Sequence, residues 1–308
     1  MSEIMELLRD CCLCPRECHV NRLAGQVGRC GQTGALMAAR ASLHFWEEPC
    51  ISGTNGSGTV FFSGCNLGCV FCQNYHIAQG STEKIIPISR LSEIFLELQA
   101  KGAHNINLVT PTHFIPQLVQ ALITAKDHGL TIPIVYNTGS YEKVDSLRLL
   151  DGLVDIYLPD LKYYSSELSA RYSNAPDYFP VATAAIAEMY RQVGVPKFAP
   201  KPSSANPLLL QRGVIVRHLL LPEQVRDSKK ILRYLHDTYG DNIYISIMSQ
   251  YTPLPQVSSF PELNRSVTAE EYDRLLLFAE RIGVRNGFRQ EGSAAEESFI
   301  PEFDGQGL

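Results

Sequence analysis

Directly after a short apolar run the chain reads Gly64-Cys65-Asn66-Leu67-Gly68-Cys69-Val70-Phe71-Cys72-Gln73-Asn74, a CxxxCxxC spacing on a glycine-containing loop. Such a loop holds three thiolates close together. Thiolates are soft ligands that suit iron-sulfur clusters and zinc. A cubane cluster with only three protein thiolates keeps one iron open, and an open iron can chelate a substrate. A structural zinc knuckle is the alternative. It normally closes with four ligands, and the nearest fourth candidate, His76, is atypically spaced.

A second group, Cys11, Cys14, Cys18 and Cys30, gives CxxCxxxC and then a fourth cysteine after a longer gap. Four thiolates form a closed ligand set, suited to structural zinc or to a coordinatively saturated electron-transfer cluster. The ligand count does not separate the two, and a structural metal is the first reading. Cys12 and Cys50 remain over and read as small buried residues. Cys12 is an alternative to Cys11 as ligand, and Cys50, just ahead of the first barrel strand, is a candidate hydrogen donor. All nine cysteines fall between Cys11 and Cys72, a clustering that suggests metal ligation rather than disulfides.

The elements that must position these groups follow from periodicity. The 308 residues, 45% of them hydrophobic, are enough for one large α/β domain and a small appendage. Residues 1–58 are rich in Cys and Gly and close on a turn-forming run, Ser52 to Gly58, so they read as a small N-terminal metal-binding segment. From Thr59 onward, β-prone apolar runs at 60–62, 106–109, 132–136, 154–158, 214–221 and 243–247 alternate with helical patterns. Leu91, Ile94, Phe95 and Leu98 form one helical stripe, and Tyr272, Leu275, Leu276 and Ala279 another. Thr268 and Glu271 make a capping box for the latter, with Gly283 as its stop. Six βα units are too few for a complete eight-stranded barrel, so 59–286 is expected to form an open partial (βα)6 barrel. Residues 287–308, rich in Gly, Glu and Ser, read as a partly ordered C-terminal tail. In parallel architectures ligands gather at the carboxyl ends of strands, which is where the motifs fall.

A formal net charge of -5 and the lack of basic runs argue against nucleic acid or an anionic membrane as partner. No apolar stretch approaches the length of a membrane span, and the N-terminus lacks a signal-peptide layout, so a cytoplasmic protein is expected.

The CxxxCxxC loop after a first barrel strand, with an aromatic residue before its third cysteine, resembles the radical SAM superfamily. Cys14-Pro15-Arg16, Glu47-Glu48-Pro49, Phe62-Ser63-Gly64-Cys65-Asn66, the run Asn107 to Phe114 and Arg217-His218-Leu219-Leu220-Leu221-Pro222 resemble, more narrowly, its pyruvate formate-lyase activating enzyme-like subfamily. That likeness extends through Tyr136-Asn137-Thr138-Gly139-Ser140-Tyr141-Glu142, Tyr157 to Tyr163 and Ser249-Gln250-Tyr251.

The resemblance implies a fold, the open partial (βα)6 barrel of radical SAM type, and an oxidoreductase-type enzyme. Cys65, Cys69 and Cys72 would hold a [4Fe-4S] cluster, with the amino and carboxylate groups of S-adenosylmethionine (SAM) on its unique iron. One electron then splits SAM into methionine and a 5'-deoxyadenosyl radical. A low-potential donor such as flavodoxin or ferredoxin is the implied electron source. Lys162, in Asp160-Leu161-Lys162, is implied as the partner of the SAM carboxylate. Thr110 and Thr112 stand where activating enzymes carry a Gly-Gly-Glu segment contacting the SAM amino group. Phe71 is implied against the adenine, and Asn74 and Asn137 as further cofactor contacts. His113 and His218 read first as packing residues. The substrate is either a partner protein, a glycyl radical enzyme above all, or a small molecule or peptide met by Arg217, Glu142, Tyr141 and Gln250. A non-catalytic metal-binding adaptor is the reading from another class.

Overall fold

The computed structural model describes residues 3–80, 84–199, 208–289 and 301–308. Ten strands lie in it: β1 Met37–His44, β2 Ser57–Phe62, β3 Lys84–Ile85, β4 Ile106–Val109, β5 Ile134–Thr138, β6 Ile156–Pro159, β7 Lys197–Phe198, β8 Leu210–Leu219, β9 Tyr244–Met248 and β10 Gly287–Arg289. The sheet runs β10-β9-β8-β6-β5-β4-β2-β1-β3, with β7 on β8, and has two free ends among the described residues, so the barrel is open. The strands from β2 through β4, β5, β6, β8 and β9 to β10 pair parallel in succession. This is the mixed α/β architecture that the periodicity predicts. Four strands go beyond it, the two-residue β3 and β7 and two others. β1, in the region read as a metal-binding segment, pairs antiparallel with β2, and β10, in the region read as a tail, pairs parallel with β9.

Helices α1 Pro49–Ser52, α2 Tyr75–Ala78, α3 Ile88–Ala100, α4 Ile115–Asp127, α5 Val144–Arg148, α6 Ser166–Ser173, α7 Tyr178–Val193, α8 Val225–Tyr239 and α9 Ala269–Ile282 connect the strands. The longer ones form the outer layer. Leu91, Ile94, Phe95 and Leu98 of α3 are all buried. α9 starts on the predicted Thr268–Glu271 capping box and ends at Gly283 in the left-handed conformation. Among the described residues no helix is long and apolar enough to cross a membrane.

Strand alternation sorts side chains between the two faces. Tyr136, Tyr157, Val214, Val216, Ile245 and Ile247 point outward into the helix-covered core. Val135, Ile156, Leu158 and Ile215 point inward and meet Cys50 and Ile51 of α1 in a separate apolar cluster. Asn105, just ahead of β4, ties α1 in place by donating to the Ile51 carbonyl at 2.8 Å. α1 is therefore an apolar floor at the amino ends of the strands. Two residues further along, on the same face, come Asn137, Asp160 and Arg217, so the interior turns polar toward the carboxyl ends.

Residues 301–308 run along β1, with Gly305 donating to Ala39 at 3.0 Å and Ala41 to Gln306 at 2.9 Å. Phe303 packs edge-on to Phe61, centroids 5.3 Å apart. This stretch of the expected tail is thus fastened to the sheet edge, an arrangement that covers otherwise unpaired backbone groups. The Ser-rich part of that tail, 290–300, lies outside the described residues.

Candidate active site

The cysteine loop leaves β2 through Ser63 and Gly64. Gly64 has φ +86°, and a side chain there would stand 2.5 Å from the Cys30 carbonyl oxygen, so only glycine permits this approach of the loop to the N-terminal segment. The loop is pinned by Val70 N–H on the Tyr172 carbonyl at 2.9 Å and by Gln256 on the Cys72 carbonyl at 3.3 Å. Ser173 donates to Cys69 Sγ at 2.9 Å. Burial raises the Cys69 thiol against the pull of the Lys162 ammonium, and burial pushes Cys72 up to about 12. Without a cation to receive them, these sulfurs stay protonated.

All three cysteines line a cavity of about 750 Å³ at the carboxyl ends of the strands. Phe71, Asn74, Thr110, Thr112, Asn137 and Lys162 line it too, so the residues predicted as cofactor contacts come together around the loop. Phe71 is buried and meets Tyr163 and Tyr251 edge-on. Asn74 sits at the start of α2 without capping it. Thr110 holds φ +56°, a strained setting for a β-branched residue of the kind that collects at functional sites.

Two polar side chains expected to face a cofactor are already engaged. The Thr112 hydroxyl donates to Glu142 at 2.6 Å. Asn137 accepts from Arg217 at 2.6 Å and donates to Glu47 at 3.3 Å.

Lys162 Nζ lies 2.6 Å from one Asp160 oxygen, and Arg217 Nε lies 2.9 Å from the other. Arg217 reaches on to Glu47 at 3.1 Å, whose second oxygen accepts from Asn107 at 2.9 Å. Burial works to lower Lys162, but the Asp160 carboxylate prevails and holds it above its usual range. Burial likewise opposes ionisation of Asp160, yet Arg217 and Lys162 keep it below the ordinary carboxylate range. Lys162 thus reaches the cavity as a charged ammonium fixed from one side.

Glu47 and Asp160 were not among the predicted site residues. Both lie inside motifs that carried the family resemblance, but their pairing with Arg217 joins segments far apart in the chain. Of the four side chains suggested for a small substrate, Arg217 and Gln250 line the cavity. Glu142 and Tyr141 do not: Glu142 is buried behind Thr112 and Thr138, and Tyr141 donates to Asp177 at 2.8 Å. His113 donates to the Ser63 carbonyl and His218 to the Leu161 carbonyl, and burial drops them to about 3 and about 4. Neither lines the cavity, in keeping with a packing role. His76 is exposed on α2 and stands outside the lining as well.

The N-terminal cysteines form a separate neighbourhood. Cys11 faces inward, with Arg22 at 3.9 Å from its sulfur, while Cys12 turns out to His19 at 3.5 Å. Cys11 and Cys18 are both electrostatic neighbours of Cys30, and Cys14 is another. Cys50 belongs to the apolar floor and is absent from the cavity lining.

The sequence pattern of the Radical SAM superfamily matches residues 59–214, just over half of the chain. The chain belongs to the radical SAM superfamily. Membership implies a [4Fe-4S] cluster and SAM as cofactors. An uncharacterised Methanocaldococcus jannaschii protein, MJ0674, is 30% identical over 288 residues, spanning 90% of this chain and 76% of its own. Among solved structures, the [FeFe]-hydrogenase maturase HydG aligns with a TM-score of 0.51 at 14% identity, over 79% of this chain and 53% of that one. Methylornithine synthase PylB aligns at 0.49 and 15% identity, over 70% of this chain and 59% of the other. SAM-bound SuiB of Streptococcus suis aligns at 0.49 and 11% identity, over 74% and 48%. The chain thus spans about half the length of these solved structures, and the likeness to HydG is one of fold.

Proposed function

We propose that Cys65, Cys69 and Cys72 hold the [4Fe-4S] cluster and that the cavity beside them binds SAM, so that this chain is a radical SAM enzyme abstracting hydrogen from a substrate. The observation carrying the reading is the convergence of three soft thiolates on one cavity with a charged Lys162 at its wall. When bound, the cluster supplies the electron that splits SAM into methionine and a 5'-deoxyadenosyl radical. The donor set fits such a cluster. Thiolates sharing one zinc ion at 2.3 Å stand within about 3.8 Å of each other. Among the described residues the three groups that converge within 4.8 Å are Asp10, Cys12 and His19, so these sulfurs are spread too widely for one shared ion.

The chain's own residues then have separable tasks. Lys162, steadied by Asp160, offers its ammonium to the SAM carboxylate. Phe71 offers an aromatic wall to the adenine. The strained Thr110 and Asn74 present polar groups to the cavity. Asn137 and Thr112 act through their partners, keeping Arg217 and Glu142 in position. The apolar floor below excludes water from the interior.

For the substrate we favour a partner protein, as in the pyruvate formate-lyase activating enzyme-like subfamily. The cavity is bordered by the exposed Trp46, which suits a macromolecular surface. Arg217 is already neutralised by Asp160 and Glu47, which speaks against a small anionic substrate. A low-potential carrier such as flavodoxin or ferredoxin is the proposed electron source. We also assign Cys11, Cys14, Cys18 and Cys30 to a second, closed metal site. The test is anaerobic reconstitution with iron and sulfide, reduction, addition of SAM and quantification of 5'-deoxyadenosine. Product is expected from the wild type and not from a Cys65, Cys69 and Cys72 triple alanine variant. Absence of product from a fully loaded wild type, with and without a protein substrate, would overturn the reading.

A further inference from the structure

We infer that Cys11, Cys14, Cys18 and Cys30 hold a coordinatively saturated iron-sulfur cluster rather than zinc, against the cysteine loop of the barrel. The first ground is spacing. Cys14 and Cys30 are electrostatic neighbours, and Cys30 is in turn a neighbour of Cys11 and Cys18. Arg29 N–H donates to Cys18 Sγ at 3.3 Å, which sets Cys18 beside the Gly28–Cys30 turn. Yet no three of these sulfurs lie within 4.8 Å of one another, since among the described residues that closeness is reached by Asp10, Cys12 and His19. Four thiolates on one zinc would lie within about 3.8 Å in every pair. Thiolates each bound to a separate iron at a cubane corner stand farther apart, and the sulfurs of Cys65, Cys69 and Cys72 likewise do not all fall within 4.8 Å of one another. This comparison rests on the reading above that the barrel loop holds a cluster.

The second ground is charge. Arg22 is 1% exposed, and its guanidinium donates to the Thr33 carbonyl at 2.8 Å and the His113 carbonyl at 2.6 Å, with Cys11 Sγ at 3.9 Å. Among the described residues its hydrogen-bond partners are carbonyls and a thiol with no carboxylate, and a buried cation without a counter-ion is costly. An anionic metal-thiolate group beside Cys11 supplies that counter-charge.

The third ground is position. The Cys30 carbonyl abuts Gly64, one residue ahead of Cys65. Arg16 also donates to the Asn66 carbonyl at 2.8 Å. A metal held by Cys14 and Cys30 would therefore lie on the side of the N-terminal segment that touches the barrel's cysteine loop. With four thiolates no iron is left open for SAM, and the chemistry suited to such a group is one-electron transfer.

The test is metal and acid-labile sulfide analysis, with iron Mössbauer spectra, on full-length protein purified and reconstituted anaerobically. The wild type is compared with the Cys65→Ala, Cys69→Ala and Cys72→Ala triple variant and with a Cys14→Ala and Cys18→Ala double variant. Each variant is expected to keep about half of the wild-type iron and sulfide, and the spectrum of the triple variant is expected not to respond to SAM. Stoichiometric zinc in the wild type, or no iron in the triple variant, overturns the inference. Failure of the barrel site is a different result, in which the triple variant keeps all the iron of the wild type. Should the double variant not fold, the wild-type zinc content and the triple variant decide the matter.

Discussion

One carboxylate oxygen of Asp160 lies 2.9 Å from Arg217 Nε, while the other lies 2.6 Å from Lys162 Nζ, so a single acid fixes both cations at the cavity wall. All three groups are largely withdrawn from solvent, which makes the acid more than a surface partner.

Asp160→Asn keeps the shape of the side chain and removes its charge, taking from Lys162 its ion-pair partner and leaving Arg217 its ion pair with Glu47. Breaking a buried pair from one side costs about 3 kcal/mol, and about 2 once partial solvent screening is allowed for. The denaturation midpoint in urea checks this. In 5'-deoxyadenosine assays the KM for SAM is expected to rise about tenfold, a change of about 1.4 kcal/mol, because Lys162 loses its fixed position. The folded pKa of Asp160 lies below its unfolded value. Its contribution is therefore present above the unfolded pKa and is lost as pH falls through the folded one.

Gly64→Ala tests the contact between the N-terminal segment and the barrel loop. The new methyl meets the Cys30 carbonyl at a distance that carbon and oxygen do not tolerate, at a φ that L residues rarely adopt. The loop must shift, and a stability loss of about 2 kcal/mol or more is expected, with lower iron uptake at both cysteine groups. Unchanged stability and full iron loading would mean that the two regions are not locked together.

Much of this architecture is readable in the sequence because each central strand is a continuous apolar run between turn residues, and the cysteine spacings stand out from any background. β1 escapes such a reading: Met37-Ala38-Ala39-Arg40-Ala41-Ser42 has little intrinsic strand preference, and it is a strand because β2 and the 301–308 stretch pair with it. β10 is short and gains its definition from β9. At the site, residue types in the strand-end motifs point to the cavity. Which hydroxyl turns inward does not follow from them, since Thr112 is drawn away by Glu142, thirty positions further along the chain.

Cys50 is a control for the active-site assignment. It lies in the floor among Val135, Ile156 and Leu158, away from the cavity lining. Cys50→Ala is expected to leave SAM cleavage intact. Cys50→Ser buries a hydroxyl in an apolar cluster and is expected to lower stability by about 1–3 kcal/mol. Loss of hydrogen abstraction in a stably folded Cys50→Ala variant would restore a chemical role for this thiol.

Glu142 sets a pH dependence of the fold. One of its oxygens accepts from Thr112, Thr138 and Tyr136, the other has no partner, and burial, outweighing those three donors, pushes its pKa up to about 7. A carboxyl raised in the folded state stabilises the fold fully below its unfolded pKa, and that stability is lost as pH rises through the folded value. Between pH 6 and 8 this one group is expected to remove about 1.3 kcal/mol. Glu142→Gln keeps an acceptor for the hydroxyls and has no proton to lose. The wild type is therefore expected to weaken relative to Glu142→Gln as pH is raised from 6 to 8, read as the difference between their urea midpoints. Parallel pH profiles for the two proteins would mean that this carboxyl does not titrate in that range, and that the hydroxyls around it hold it ionised throughout.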